Sequence, residues 1–202
     1  MTTTVVLATR NQHKVAELRR ILEGSGLAVD LVGTEAFPDL PEVAETGSSF
    51  AANALLKARD VAQRTGLTAI ADDSGLCVDA LNGMPGIFSA RWAGRHGDDR
   101  ANLELLLAQL ADVPAPRRGA SFHCAAAVAT PMGEERVVEG VLDGGIVHEP
   151  KGSNGFGYDP IFVPRGYALT TAELSPREKD AISHRGQAFR ALVPVLSDLL
   201  DA

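Results

Sequence analysis

Two adjacent carboxylates, Asp72 and Asp73, follow the short apolar run Ala69–Ala71 and precede a Ser-Gly pair. A buried strand that ends in Asp-Asp-Ser-Gly would place both acids at its carboxyl end, where ligand crevices open in α/β sheets. Neighbouring carboxylates repel each other, so a protein interior accepts them only beside a cation or hydrogen-bond donors. A hard divalent cation such as Mg²⁺, which prefers oxygen ligands and is often shared with phosphates, meets that need. A solvated turn is the alternative, but the turn signals Asn82-Gly83 and Pro85-Gly86 favour a site.

The N-terminus supplies a second candidate, a polar turn between a strand and a helix. The apolar run Val5–Leu7 precedes the turn, and helical spacing of apolar residues begins at Val15. Such a turn presents free N–H groups and the positive end of the helix dipole to an anion. Lys14 lies in the first helical turn, where a cation is unfavourable unless an anion is nearby, so it is a candidate phosphate ligand. The turn is not a Walker loop, because the glycines and the Gly-Lys-Ser/Thr ending are missing.

A second strand and helix lie between these two stretches. The strand is predicted over 28–32 and the helix over about 50–64, after the capping residues Thr46 to Ser49. Glu45 stands just ahead of this helix, and Asn53 and Lys57, four residues apart, share one of its faces. A capping acid and a solvated lysine are the plain interpretation. Two successive strand–helix units predict an α/β fold with some parallel strands.

The second half of the chain predicts both helices and antiparallel strands. Asp98 and Asp99 open a helix, and the segments 121–130 and 136–142 form two antiparallel strands joined by a Pro-Met-Gly turn. Ser175-Pro176 begins a short helix with a capping box, and a last helix is predicted from Gln187. The predicted sheet is therefore mixed, with flanking helices.

Two further stretches carry polar and aromatic chemistry. In the glycine-rich segment 151–160, Phe156 and Tyr158 would expose their ring faces to a flat ligand; a purely structural loop is the alternative. His184 and Arg185 stand between two predicted helices. They form either a solvated corner or a set of donors for a carbonyl-bearing base.

Composition narrows the class of protein. The chain has 202 residues, of which 45% are hydrophobic and 22% charged, values ordinary for a globular protein. A net charge of −7 argues against a general nucleic-acid binder, which usually carries a basic face. We expect no membrane partner, because no apolar run approaches the ~18 residues of a span and the N-terminus lacks signal-peptide features. Cys77 and Cys124 are expected as buried free thiols, which favours a reducing cytoplasm.

Together these stretches resemble the inosine triphosphate pyrophosphatase (RdgB) family, whose members hydrolyse non-standard purine nucleoside triphosphates to monophosphate and pyrophosphate. The resemblance runs over essentially the whole chain, in order. It rests on Asn11 and Lys14; Glu45-Thr46-Gly47 with Phe50, Asn53 and Lys57; Ala71-Asp72-Asp73-Ser74-Gly75-Leu76; Pro85-Gly86; Phe156-Gly157-Tyr158-Asp159-Pro160; Lys179; and Ser183-His184-Arg185-Gly186.

This resemblance implies one domain, residues 1–202, with a mixed α/β fold of two lobes around a long central cleft, usually as a homodimer. It implies that Asp73 is the general base, with Asp73 and Glu45 as Mg²⁺ ligands. The implied substrate-binding residues are Thr9, Arg10, Asn11, Gln12, His13, Lys14, Lys57, Ser74, Phe156, Gly157, Tyr158, Asp159, Lys179, His184 and Arg185. The family's turn usually reads Ser/Thr-Gly-Asn-x-Gly-Lys, whereas Arg10 and His13 replace both glycines here.

Two other functions remain open at the level of sequence. A Maf-like nucleotide pyrophosphatase has a similar fold but prefers other bases, and the His184-Arg185 corner argues against it. A nucleotide-sensing module with an inactive site is the alternative outside enzymes. The presence of Glu45, Asp73 and Lys14 argues against that one.

Overall fold

The computed structural model describes residues 3–10, 12–25 and 27–200. Strands and helices alternate over the first half of this part of the chain, as predicted. The strands are β1 Thr3–Leu7, β2 Val29–Gly33, β3 Thr68–Val78, β4 Gly119–Ala129, β5 Glu135–Ile146 and β6 Phe162–Pro164. The α-helices are α1 Gln12–Ser25, α2 Phe50–Thr65, α3 Asp99–Gln109, α4 Pro176–Ile182 and α5 His184–Leu200.

The strands form a mixed sheet in the order β2-β1-β3-β4-β5-β6. Strand β1 runs parallel to both β2 and β3, and β5 runs antiparallel to β6. The connection between the neighbouring strands β4 and β5 is residues 130–134, which suits a hairpin and is too short for a parallel crossover. The predicted α/β class with a mixed sheet and flanking helices is confirmed.

The chain divides into two units, each with its own core. Unit 1 comprises Met1–Asp73, Cys124–Gly140 and Arg185–Ala202, and unit 2 comprises Ser74–His123 and Val141–His184. The functional side chains of each unit depend on that unit's own packing.

In unit 1, the period of two along a strand divides the core between two faces of the sheet. Val5 and Leu7 pack with residues of α1 and α5, whereas Val6 between them packs with residues of α2. Strand β3 follows the same rule, with Ile70 on the α1/α5 face and Ala69 and Ala71 on the α2 face. Small alanines on the second face let α2 lie close to the sheet.

In unit 2, a single cluster surrounds the later part of β3. Leu76 and Val78 pack with Leu103 and Leu106 of α3 and with Phe122 of β4. Residues 158–162 complete this core, which also buries the ring of Tyr158. The glycine-rich segment is therefore anchored from within unit 2.

Local signals in the sequence predict several element boundaries correctly. Ser49 caps α2 by accepting from the Ala52 N–H, and Gly66 ends that helix in the left-handed region at φ 69°. Asp98 caps α3, and Ser175 forms the predicted capping box with α4. Several features differ, among them β5, which continues to Ile146 instead of ending at 142. Strand β3 runs through Asp72 and Asp73 to Val78, α5 begins at His184 instead of Gln187, and the short strand β6 was not predicted.

Two expectations about environment concern the membrane and the cysteines. Among the described residues, no helix combines the length and hydrophobicity needed to cross a membrane. Cys77 and Cys124 are both free thiols, as predicted. Cys124 is buried, but Cys77 is only partly buried.

Candidate active site

Asp72 and Asp73 are consecutive residues of β3, so their side chains point to opposite faces of the sheet. Asp72 follows Ile70 on the α1/α5 face, where it meets Lys14 and Arg185. Asp73 lies on the α2 face, where it meets side chains of that helix. The expectation that the acids lie at the carboxyl end of the strand is therefore wrong, because β3 continues past them to Val78. The strand can continue because each carboxylate has its own cations or donors, one set on each face.

Asp72 is a fully buried counter-ion for two cations. Lys14 Nζ lies 2.9 Å and Arg185 Nε 3.1 Å from the same oxygen, Oδ2. Burial alone would raise the pKa of Asp72, but the charges of Lys14, Arg185 and Lys57 hold it well below its usual range. Its other oxygen, Oδ1, is buried without a hydrogen-bond partner among the described residues. Asp72 is thus ionised at neutral pH and holds the two cations in place.

Asp73 has a different environment. Its Oδ2 accepts a hydrogen bond of 2.9 Å from Asn53 Nδ2, and its Oδ1 lies 3.9 Å from Lys57 Nζ. Burial raises the pKa of Asp73, and nearby Glu45 adds to this, against the opposing effects of Lys57 and the Asn53 hydrogen bond. A carboxylate whose pKa is raised towards neutrality is better suited to accept a proton.

Lys57 links Asp73 to Glu45. Its Nζ donates to Glu45 Oε1 at 2.8 Å. Burial alone would lower the pKa of Lys57, but the negative charges of Asp72, Asp73 and Glu45 outweigh it and raise the pKa. Lys57 is therefore an ammonium ion held between two carboxylates, not the solvated lysine of the plain interpretation.

The donor set around Lys57 can be compared with what Mg²⁺ requires. Glu45 and Asp73 already share one cation, so both carboxylates reach a common position. Within the described ranges, no cluster of three or more His, Cys, Asp or Glu side chains is suited to hold a metal. Mg²⁺ is usually bound by one or two carboxylates and completes its shell with water and substrate phosphates. The residues fit that kind of site.

Asn53 is the residue of this cluster that sequence reasoning did not assign a role. It is completely buried, and its amide bridges Asp73 and the backbone N–H of Gly47. The available signal was an asparagine one helical turn before Lys57, inside an otherwise alanine- and leucine-rich helix. Such a side chain needs polar partners when buried.

Only part of the N-terminal turn lies within the described residues. The Thr9 carbonyl accepts from Thr34 Oγ1 at 2.9 Å, and Arg10 Nη2 donates to the Leu40 carbonyl at 3.0 Å. Arg10 thus ties the turn to the loop after β2. Outside the described part of the chain are Asn11 and the side chains of Gln12 and His13.

In unit 2, Phe156 is the exposed aromatic residue of the glycine-rich segment. The residue is 44% exposed, and Lys179 Nζ lies 5.1 Å from the centre of its ring, at cation–π distance. Lys179 is also 2.5 Å from Asp159 Oδ2, the oxygen that accepts from the Phe156 N–H. Gly155 at φ 76° allows this close fold, since a Cβ there would lie 2.1 Å from Asp159 Oδ2. Asp159 and Lys179 therefore set the position of the Phe156 ring.

Tyr158 has a supporting role in the same segment. Its ring is buried, and its hydroxyl donates to the Ser89 carbonyl at 2.9 Å. Burial, with a contribution from Asp99, raises the pKa of Tyr158, so the phenol stays neutral. The N–H of Gly157 donates to Asp99 Oδ2 at 2.9 Å. Contrary to the expectation of two exposed rings, Phe156 alone of this pair exposes its ring.

The remaining predicted residues lie at the boundary of the two units in sequence. His184 is buried and stacks on Phe122, with ring centres 4.8 Å apart and planes inclined by 9°. Arg185 is buried against Asp72. Ser74 is a partly buried residue of β3. His184 and Arg185 are the first two residues of α5 and both are buried, which excludes the alternative of a solvated corner.

Comparison with known proteins identifies the family. Residues 5–195 match the model of the Ham1 family. The chain belongs to the Ham1 family. A Streptomyces avermitilis member named dITP/XTP pyrophosphatase is 65% identical over 198 residues, covering 98% of this chain and 99% of that relative.

Solved structures of Ham1 proteins share the fold. A nucleoside-triphosphatase or dITP/XTP pyrophosphatase from Mycobacterium abscessus is 60% identical with a TM-score of 0.80, covering 96% of this chain and 100% of the other. A HAM1 protein from Coxiella burnetii is 43% identical with a TM-score of 0.90, covering 98% and 100%. The Ham1 assignment confirms the resemblance inferred from the motifs.

Proposed function

We propose that this protein hydrolyses non-standard purine nucleoside triphosphates, namely ITP, dITP and XTP, to the monophosphate and pyrophosphate. The observation that carries the proposal is the partly buried cluster in which Lys57 joins Glu45 to Asp73, while Asn53 holds Asp73 from the other side. Relatives named dITP/XTP pyrophosphatase support the choice of substrate. Such an enzyme removes these nucleotides from the nucleotide pool.

Asp73 acts as the general base for the attacking water. Asn53 engages Oδ2, and we place the accepted proton on Oδ1. General-base assistance of this kind typically contributes 10²–10⁴-fold to the rate. The raised pKa of Asp73 brings its proton affinity nearer to that needed at neutral pH.

Cationic side chains stabilise the charge on the phosphates. Lys57 is held by Glu45 and Asp73, and Lys14 is held by Asp72, so both ammonium groups have fixed positions before substrate binds. Fixed charges need no reorganisation during the reaction. Glu45 and Asp73 would hold Mg²⁺, which when bound supplies further neutralisation of the phosphate oxygens. Thr9 to Lys14 and Ser74 complete the contacts with the triphosphate.

The base is bound by stacking and by hydrogen-bond donors. Phe156 stacks on it, a contact worth about 1–3 kcal/mol for any base. His184 and Arg185 donate to the carbonyl at the 6-position, while Gly157, Asp159 and Lys179 shape the loop that carries Phe156. Arg185 Nε is occupied by Asp72, so the guanidinium must use its other N–H groups for the base.

Pyrophosphate release with Mg²⁺, measured over ITP, XTP, dITP, ATP and GTP, tests this function. We expect the first three to be turned over in preference to ATP and GTP. In ¹⁸O-labelled water the label should enter the monophosphate, because water attacks the α-phosphorus. Label in free orthophosphate would show a phosphatase instead.

Two wider features complete the proposal, and the family resemblance supports them. We propose a homodimer and a cytoplasmic location. Light scattering should give twice the mass of one chain. Cell fractionation should recover the protein with cytoplasmic markers.

A further inference from the structure

The orientation of the Asn53 amide is determined by its partners. Its Oδ1 lies 2.8 Å from the Gly47 nitrogen, and its Nδ2 lies 2.9 Å from Asp73 Oδ2. A backbone N–H can only donate, so the amide oxygen must face Gly47. The amide nitrogen must then face Asp73 and donate to it.

The Asn53 side chain thereby links the Asp73 carboxylate to the segment that carries Glu45. Gly47 stands two residues after Glu45 in the same turn, and Asp73 is in β3. The amide sets the rotation of the Asp73 carboxylate, with Oδ2 towards Asn53 and Oδ1 towards Lys57. It also fixes the turn that presents Glu45. Asn53 itself is completely buried in α2.

Gly47 lies so close to the Asn53 amide that the position has no room for a side chain. A Cβ placed on Gly47 would lie 2.7 Å from Asn53 Oδ1 and 2.8 Å from the Ala52 Cβ. Both distances are shorter than side-chain contacts allow. Glycine is therefore needed at this position for the backbone to reach the amide.

Unit 2 contains a matched asparagine. Asn102 occupies the fourth position of α3, as Asn53 does in α2, and both helices have a side-chain cap. Asn102 is also buried, and its Oδ1 accepts from the Ala93 N–H at 2.7 Å. Its Nδ2, however, donates to the backbone carbonyl of Ala90 at 3.2 Å. The two residues differ in what their amide nitrogen contacts.

We propose that Asn53 is a positioning residue for hydrolysis, which sets the orientation of Asp73 and its spacing from Glu45 without contacting the substrate. The inference rests on the proposed function and extends it to a residue outside the expected site. Groups that orient metal-binding or catalytic carboxylates typically contribute 10–100-fold to metal affinity or activity.

The test compares Asn53→Leu with Asn102→Leu. Each change is nearly isosteric, removes one amide from the same helical position, and leaves a backbone N–H unpaired. Three quantities are measured for each: the melting temperature, the kcat and KM for ITP, and the affinity for Mn²⁺ alone by electron paramagnetic resonance. We expect similar losses of melting temperature. Asn53→Leu should lower kcat and Mn²⁺ affinity by about 10–100-fold with little change in KM, while Asn102→Leu keeps both.

Gly47→Ala provides a second approach if Asn53→Leu does not fold. The added methyl displaces the amide while every polar group of the cluster is retained, so kcat should fall with KM unchanged. The positioning role would be overturned if Asn53→Leu and Asn102→Leu had equal kcat and equal Mn²⁺ affinity. It would also be overturned if Gly47→Ala matched the wild type in both quantities. Absence of hydrolysis by the wild type would instead refute the proposed function, and Mn²⁺ affinity would still decide the role of Asn53.

Discussion

The N-terminal ends of α2 and α3 are built alike but serve different partners. Each has a side-chain cap and a buried asparagine whose carbonyl accepts a loop N–H. In unit 1 the amide nitrogen of Asn53 donates to a carboxylate, and in unit 2 that of Asn102 donates to a backbone carbonyl. Burial and residue type are the same in both places. The partner of the amide nitrogen therefore distinguishes the asparagine that we infer to position a catalytic carboxylate from the one that only supports the fold.

The two buried arginines repeat this contrast. Arg185 in unit 1 donates to the Asp72 carboxylate. Within the described residues, the observed hydrogen bonds of the Arg118 side chain in unit 2 all go to backbone carbonyls. These belong to Leu110, Val113, Ile146 and Val147. A charge held by carbonyls has no ionised partner to exchange with a ligand, so Arg118 is a structural residue.

The largest effect should follow from removing the charge that Asn53 contacts. Asp73→Asn keeps the size of the side chain but cannot accept a proton, so turnover should fall by at least 10²–10⁴-fold. Circular dichroism and melting should show a folded protein. A folded variant that keeps more than about a tenth of the wild-type rate would remove Asp73 from the role of base.

A smaller effect, confined to substrate choice, is expected from Arg185→Ala. Inosine and xanthine carry a carbonyl at the 6-position where adenine has an amino group, and an arginine can only donate. Loss of such contacts costs about 1–3 kcal/mol each, so the ratio of kcat/KM for ITP to that for ATP should shrink up to about a hundredfold.

Phe156→Ala is the matched control for that ratio. Every base has a π-face, so loss of the ring should weaken ITP and ATP about equally. Parallel losses for both nucleotides in Arg185→Ala would instead assign Arg185 to the phosphates or to the support of Asp72.

Arg118→Met should affect stability and leave catalysis unchanged. The change leaves buried carbonyl groups without their charged donor, which we expect to lower the free energy of unfolding by about 2–3 kcal/mol. Urea denaturation measures the loss, with the highly exposed Arg100→Met as control. A fall in kcat at temperatures where the variant is folded would contradict the contrast between the two arginines.

The smallest effect concerns acid stability and Asp72. Its pKa is lowered in the folded protein, so its ionised form stabilises the fold above the unfolded pKa of about 4, and this contribution is lost as the pH falls further. Asp72→Asn should therefore be less stable than wild type at pH 7, by on the order of 1 kcal/mol or more. The difference should shrink below about pH 4. A difference that is constant with pH would show that packing, not charge, explains the loss.

Sequence patterns predicted the elements whose signals are local. The caps at Ser49 and Ser175 and the start of a helix at Asp98 and Asp99 each depend on a few neighbouring residues, and each is found where expected. The resemblance to inosine triphosphate pyrophosphatases, which the Ham1 family match confirms, followed from the order of the motifs. These features do not depend on distant contacts.

Features that depend on distant partners were not predictable in the same way. An Asp-Asp pair within a strand looks implausible until Lys14 and Arg185 are known to reach one face and Asn53 the other. Likewise, burial of Tyr158 depends on the Ser89 carbonyl, 69 residues away. The start of α5 at His184 reflects stacking on Phe122 and pairing of Arg185, neither of which is visible in local spacing.

The pairing of Arg185 with Asp72 spans 113 residues of chain and has a consequence for synthesis on the ribosome. Strand β3 emerges long before α5, which supplies both this counter-ion and Ala188, Phe189, Leu192 and Leu196 of the core. A nascent chain that ends before α5 therefore holds Asp72 without one of its two cations, and α1 alone of the two helices covers the α1/α5 face of the sheet. Nucleotide hydrolysis should therefore begin only once α5 has been synthesised and has packed against β3, so chains that lack α5 would not consume nucleotides.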